Sequence, residues 1–436
     1  NGVSHISSNG VYSILLYASG TNFVCNFGQD ASFAGAITAG TETDGTGAVF
    51  KYAPPSGFLA LSSKNLPEPT IGANSDTQAD DYFNTVLYTG NESSRSIAVG
   101  FQSDWVWIKN RETTRYHRVY DSSRGATKAL YTNGSDAEET NSTELTAFNS
   151  NGFTLGAGVG SNENNDTFVS WNWKAGGTPT ATNSAGAGNT PTAGSVKIDG
   201  VNLGSALAGS IPATKLSANT TAGFSIVSYT GNATAGATVG HGLNFPVEMT
   251  IGRRYNDATS WHVYHTGMDS ANNGQAYMYL DATTAVRTST EFFTAKPSSS
   301  VVTLGNYATM NGNNDTIVMY AFHSVEGYSK FGSFSGNGSA DGSFVYVGFD
   351  ISFIMIKDTT VAGNNWFISD SVRDIDNPVS QILYPSTSGA EDTAIYVDFV
   401  SNGFKQRNNY SSVGNKANSK YIYMAFGSSF KYANAR

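Results

Sequence analysis

Apolar and polar residues alternate along this chain in short bursts, and the bursts recur. FNTVLYTGN at Phe83–Asn91 returns as FSIVSYTGN at Phe224–Asn232 and as YSKFGSFSGN at Tyr328–Asn337. Each phrase alternates like a strand and ends on Gly-Asn, a turn signal. A second set follows: DWVWIKNR (Asp104–Arg111), VEMTIGRR (Val247–Arg254) and SFIMIKDT (Ser352–Thr359). A third set is HRVYD (His117–Asp121), WHVYH (Trp261–His265) and WFISD (Trp366–Asp370). FNSNGFTLG (Phe148–Gly156) is answered by FVSNGFKQR (Phe399–Arg407), with SSVVTLG (Ser299–Gly305) a fainter echo. Each unit closes on one more strand: DTFVSWNW, DTIVMYAF or KYIYMAF. Repetition of this kind divides the chain into units 83–177, 224–327 and 328–436. Closely spaced strands with turn signals between them predict an all-β fold of tandem antiparallel β-sandwich repeats.

The segments outside the repeats read differently. Residues 178–223 are rich in Gly, Ala, Thr and Ser, as expected of a flexible linker. Within them SVKIDGVNL predicts a small hairpin turning at Asp199-Gly200; packing of this arm on a neighbouring subunit is the alternative. VYSILLYAS and TNFVCNFG near the start are strands, too few to close a sandwich alone. Residues 1–60 are therefore expected to be the end of a domain that begins upstream, joined to the repeats by a connector over 61–82.

Composition narrows the function. Charged residues make up only 14% of the chain, against 47 Gly, 23 Tyr and 25 Phe, a mixture that disfavours long helices. A net charge of −9 argues against nucleic acid, where affinity comes from cations that neutralise phosphates. No apolar run reaches the roughly 18 residues of a membrane-spanning helix. The single cysteine, Cys25, rules out an internal disulfide framework and is expected to be a small buried residue.

The densest chemistry is YHRVYDSSRG, which places His117, Asp121, Ser122 and Arg124 close together. His117 and Asp121 on one strand would stand roughly 13 Å apart, too far for a catalytic pair. The repeats supply a better reading. DSSRGATKALYTNGSDAEET (Asp121–Thr140) is echoed by DSVRDIDNPVSQILYPSTSGAEDT (Asp370–Thr393). Asp-Ser-x-Arg recurs while the histidine does not, since Trp261 and Trp366 take its place. Asp121 with Arg124, and Asp370 with Arg373, are expected to tie down a loop, and His117 to act as bulk. In the second unit HTGMDSANN lacks the arginine.

Other sites are weak. The six histidines are scattered, and the two of HVYH fall on opposite faces of a strand. NENNDT (Asn162–Thr167) and NGNNDT (Asn311–Thr316) offer oxygen ligands for Ca²⁺, but Lys416 enters the third loop and polar turns before the last strand are the preferred reading. The carboxylates of Glu138-Glu139 and Glu391-Asp392 read as solvated turns. No catalytic residue, cofactor or metal site is expected. Trp171 and Trp173 are candidate glycan contacts, because aromatic faces stack on sugar C–H groups; they also share one strand face, the pattern of a core.

Several phrases carry a resemblance. KYAPPSGFLALSSKNLPEPTI, YFNTVLYTGN, WNWKAGG, SANTTAGFSIVSYTGN, FHSVEGYSKFGSFSGNGSADGSFVYVGF and YIYMAFGSSFKYANAR resemble tail-fibre-like virion proteins of marine bacteriophages. In these a SPRY-type, concanavalin-like domain precedes tandem repeats of uncharacterised function. The resemblance implies that residues 1–60 are the C-terminal part of such a sandwich. It implies a non-enzymatic protein of the virion surface that forms homo-oligomers, a trimer by analogy with fibres. Its expected partners are other virion proteins and a host surface glycan or receptor. The rival readings are a capsid-decorating or filament subunit of purely structural role, and a polysaccharide depolymerase, which would need two carboxylates across a groove.

Overall fold

The strand that closes each repeat is buried on both of its faces, and this shapes the whole arrangement. Along Thr167–Trp173, Val169, Trp171 and Trp173 enter one hydrophobic core while Phe168 enters another. Along Thr316–Phe322 the split is Val318, Tyr320 and Phe322 against Ile317, Met319 and Ala321. Along Lys420–Gly427 it is Ile422, Met424 and Phe426 against Tyr421, Tyr423 and Ala425. The first-named sets belong to one common core shared by all three repeats. The second sets belong to three separate cores, one inside each repeat. Strands buried on both faces become near-continuous apolar runs, which is why the closing phrases are so rich in aromatics.

This computed structural model describes residues 41–43, 49–50, 70–72, 76–183, 190–409 and 414–428. The chain forms two units, 1–68 and 69–436. In the first, one antiparallel pair is described, Glu42–Thr43 with Val49–Phe50. The strands expected at VYSILLYAS and TNFVCNFG, Cys25, and most of the SPRY-like stretch 1–60 lie outside the described residues.

The second unit is all-β. Its described helices are single turns of four residues or fewer. In each repeat the first strand pairs with the closing strand, which pairs with the second strand, which pairs with the third. Trp171 stands opposite Trp107, Tyr320 opposite Ile251 and Met424 opposite Met355. A smaller sheet covers the outer face of each main sheet and completes the sandwich.

Residues 178–223 depart from the expected flexible linker. Ala213–Asn219 pairs with the first strand of the second repeat, and Val196–Ile198 adds to it in parallel. Val201–Asn202 follows through a tight turn at Asp199 (φ 51°) and Gly200 (φ 82°), both left-handed as a two-residue hairpin requires. Val196, Ile211 and Leu216 are buried in the core of the second repeat. The segment therefore extends that repeat's main sheet, to nine strands. Its small side chains conceal the fact, because they pack without the aromatic signal seen elsewhere.

The recurrent Gly-Asn is a point of close approach. A Cβ on Gly90, Gly231 or Gly336 would collide with the backbone carbonyl of Glu163, Gly312 or Lys416. The asparagine that follows is gripped by a second, fully buried asparagine: Asn162, Asn311 or Asn415. Its Oδ1 accepts from the backbone N–H of Asn91, Asn232 or Asn337 at 2.9–3.0 Å. Its Nδ2 donates to the carbonyl of Ser93, Thr234 or Ser339 at 2.5–3.0 Å.

Candidate functional site

The residues singled out by the repeats come together at the joints between them. Arg124 Nε donates to Asp121 Oδ2 at 2.6 Å, and the Arg124 backbone N–H donates to Oδ1 at 2.8 Å. Arg373 and Asp370 make the same two bonds at 2.6 and 2.8 Å. Each guanidinium then reaches a glutamate, Arg124 to Glu138 at 3.0 Å and Arg373 to Glu391 at 2.8 Å. Burial works against the charge on Arg124 and Arg373, but the adjacent Asp121 and Asp370 outweigh it and push both pKa values up. Glu138 and Glu391 are thus parts of the tie, not solvated turn residues as the sequence suggests. The recurring Ala-Glu was the available signal.

Each tie also receives a neighbouring repeat. The Tyr320 hydroxyl donates to Asp121 Oδ2 at 2.8 Å, and Trp171 Nε1 donates to Asp370 Oδ2 at 3.0 Å. In the second repeat His265 occupies the aspartate position. Its Nδ1 accepts from the Gly267 N–H at 2.8 Å, so Nε2 carries the proton toward the Tyr423 carbonyl at 3.1 Å. The joints run from the second repeat to the first, the first to the third and the third to the second, which closes a ring.

Main-chain bonds repeat around that ring. Glu138 N–H meets the Tyr255 carbonyl at 2.8 Å, Val286 meets Thr359 at 2.9 Å and Glu391 meets Arg111 at 2.8 Å. Trp261 Nε1 donates to the Tyr131 carbonyl at 2.7 Å, and Trp366 Nε1 to the Tyr279 carbonyl at 2.9 Å. His117 holds the equivalent place in the first repeat. It accepts from Trp107 Nε1 at 3.0 Å on Nδ1 and lies against the Tyr384 carbonyl. Burial and the nearby Lys109 and Arg373 hold its pKa well below the usual histidine range. It is a joint residue.

A buried cation recurs on the second strands, a pattern that sequence reasoning missed. Lys109, Arg253 and Lys357 donate to the carbonyl of the next residue at 2.5, 3.1 and 2.7 Å. Arg253 also reaches the Ser135 and Asp136 carbonyls of the first repeat, each at 2.7 Å. Burial lowers Lys109 and Lys357 to about 8.

Trp171 and Trp173 are both 0% exposed in the shared core and are unavailable to a sugar. Their spacing put them on the inward face of a strand that a neighbouring repeat covers, which corrects the glycan-contact reading of these two residues. In the two loops considered for Ca²⁺, the Asn162 and Asn311 amides are occupied by the backbone, and Asp315 accepts from Arg254 and Asn256. No group of three or more His, Cys, Asp or Glu suited to a metal occurs among the described residues.

Clefts open among the described residues where neighbouring parts of the fold meet. One, of about 310 Å³, lies where the first repeat meets the 178–223 segment and includes Tyr82, Asp104, Lys174 and Asp199. Asp104 is committed there, accepting from Ser122 Oγ at 2.7 Å and the Ala175 N–H at 2.8 Å. Asp199 is likewise held by Thr220, at 2.7 Å to the N–H and 2.6 Å to the hydroxyl. Another, of about 220 Å³, lies at the joint of the first and second repeats.

Residues 78–200 and 198–429 match a family described as a domain of unknown function (DUF7483). No curated protein matches the chain.

Proposed function

The chain belongs to that family, and we propose for it a non-enzymatic structural role on the surface of a bacteriophage particle, as a tail fibre or appendage contacting host-cell glycans or proteins. One observation carries this reading: the buried acids and bases that recur between repeats are consumed in holding the repeats together. The Asp–Arg–Glu ties and the buried Lys109, Arg253 and Lys357 are all bonded within the fold. The resemblance to tail-fibre-like proteins supplies the setting. Three repeats closed around one core would present three related sets of Asn- and Ser-rich loops, an arrangement suited to avidity. Homo-oligomers, a trimer by analogy, and contacts with other virion proteins complete the proposal.

Labelling of intact particles with antibody against the chain tests it. Label on the surface is expected, and absence from every particle removes the idea. A purely structural role as a capsid-decorating or filament subunit is the second reading. It is favoured by Phe344 and Tyr346, 49% and 67% exposed on the edge strand Phe344–Tyr346, where chain-to-chain pairing could form. Glycan-array binding by the purified chain separates the two.

A further inference from the structure

The small sheet of each repeat has at its edge a strand whose middle residue faces the core: Ile97, Val239 or Val345, opposite Phe153, Val302 or Phe404. Successive side chains of a strand point to opposite faces, so the residues flanking this one point outward. They are Ser96 and Ala98 in the first repeat, Thr238 and Gly240 in the second, and Phe344 and Tyr346 in the third. The third repeat alone sets aromatic rings there, 49% and 67% exposed.

In the second repeat the chain covers its own edge. The Ser210 and Ile211 N–H groups donate to the Thr238 carbonyl, each at 2.9 Å, and a Cβ on Gly240 would lie 2.3 Å from the Ala208 carbonyl oxygen. Tyr346 at the matching position leaves no room for such a cover. Phe344 leans over Gly403, the residue opposite Tyr346, where a Cβ would lie 3.0 Å from Phe344 Cε2. Its ring is thus braced by bare backbone on one side. Lys405, opposite Phe344, pairs with Asp341 at 2.5 Å, and Arg407 pairs with Asp398 at 3.2 Å. Two cations and two carboxylates cancel, so the patch offers hydrogen bonds without a net charge.

We propose that Phe344 and Tyr346 form a platform for a neutral glycan, whose sugar C–H faces stack on the two rings while its hydroxyls reach Lys405, Arg407 and their carboxylates. The rings stand two residues apart, roughly 7 Å along the strand, so they support neighbouring sugars of one glycan. Cancelled charges favour an uncharged partner over an ion. Two rings that bury about 150–250 Å² each when fully covered fall short of the roughly 800 Å² per partner of a stable protein interface. That favours a glycan over a second copy of the chain. The site rests on the glycan-contact half of the proposed function and replaces Trp171 and Trp173 as its chemistry.

Ligand-observed NMR titration of the full chain with maltohexaose, cellotetraose and chitotetraose, beside tetragalacturonate as an anionic comparison, tests it. At least one neutral oligomer is expected to bind more tightly than tetragalacturonate, with an affinity constant within about twofold between low and high salt. Phe344→Ser with Tyr346→Ala, which installs the residues of the first repeat, should weaken that binding about tenfold or more. Tyr346→Phe keeps the ring and should preserve it. Tyr346→Ala alone, at the more exposed ring, should weaken it several-fold and serves as the readout should the double variant fold poorly. No neutral oligomer bound, tighter binding of tetragalacturonate, or binding unchanged in the alanine variants overturns the site. A native dimer in sedimentation that Tyr346→Ala dissociates, with no sugar bound, would also overturn it and give the edge to a second copy. Surface label on particles from a chain that binds no sugar would sink the site and leave the particle-surface role standing in its structural form.

Discussion

Trp171 donates its indole N–H to Asp370 at 3.0 Å, across the joint between the first and third repeats. The accepting oxygen is the one that Arg373 Nε bonds at 2.6 Å, so a single buried carboxylate fixes both a loop and a neighbouring repeat. Tyr320 does the same to Asp121 at 2.8 Å. A hydrogen bond to a charged group is worth about 1.5–3 kcal/mol, so Tyr320→Phe is expected to lower stability by about 2 kcal/mol. Trp171→Phe loses volume as well and should cost more. Urea unfolding measures both; an unchanged midpoint for Tyr320→Phe would show that the joint bond contributes nothing.

Breaking a tie from within should be harsher. Arg373→Met leaves Asp370 charged, 0% exposed and short of its principal partner. Loss of one member of a buried pair costs about 3–5 kcal/mol, much of it from the stranded charge. Asp370→Asn combined with Arg373→Met should therefore cost less than the two single changes added together. A double-mutant cycle reads this directly, and additive costs would refute the coupling.

The Gly-Asn signature makes a steric prediction. Gly231→Ala drives a methyl into the Gly312 carbonyl, whereas Gly100→Ala meets nothing within 4 Å and faces only its left-handed φ of 107°. Gly100→Ala is expected to cost about 1 kcal/mol and Gly231→Ala clearly more, because backbone must move. Equal losses in a denaturant series would place the glycine's role in backbone freedom instead.

Acid should loosen the fold through its buried histidines. Burial lowers His262 to about 3 and His265 to about 4, against an ordinary 6.5. Unfolded chains bind these protons first, so the stabilisation is complete above about pH 6.5 and is lost as pH falls toward 4 and below. For His265 the lowering is worth roughly 3 kcal/mol at 1.36 kcal/mol per unit. His262 is packed on Phe292 at 4.4 Å, and neither ring nitrogen is bonded among the described residues. His262→Phe should therefore shrink the stability difference between pH 7 and pH 4 by about 3 kcal/mol. A parallel profile for the variant would exclude His262 as the sensor.

The shared core predicts one cooperative unit. Phe353 and Phe426 of the third repeat contact Trp173 of the first at 5.6 and 5.7 Å. Calorimetry of the whole chain is expected to show a single transition for the repeats, and a chain ending at 327 should aggregate because it bares this aromatic surface. Three resolved transitions would mean that the repeats fold independently.

Much of this fold is legible in the residues. Alternation marked the strands, and internal repetition exposed Asp121, Arg124, Asp370 and Arg373 as a shared device. The buried cation was harder to see, because Lys109 and Lys357 stand where a solvated strand position would tolerate lysine equally well. The partners of Glu138 and Glu391 were hidden because a polar loop has one composition whether it meets water or another repeat. The cleft at the joint of the first and second repeats was not legible at all, since it joins residues of different repeats and a segment of low-complexity composition.

By itself the sequence determined the local elements: strand periodicity, the recurring Gly-Asn turn and the Asp-Ser-x-Arg loop. Those are short-range consequences of side-chain size, branching and hydrogen bonding. Only the tertiary structure decided that the repeats close on one another, that Trp171 and Trp173 face a neighbour instead of solvent, and that a polar cleft opens at the joint of the first and second repeats. An apolar face specifies that it will be covered, but the covering surface is chosen by which closure buries the most apolar area while satisfying every buried charge, and that choice is made by all three repeats together.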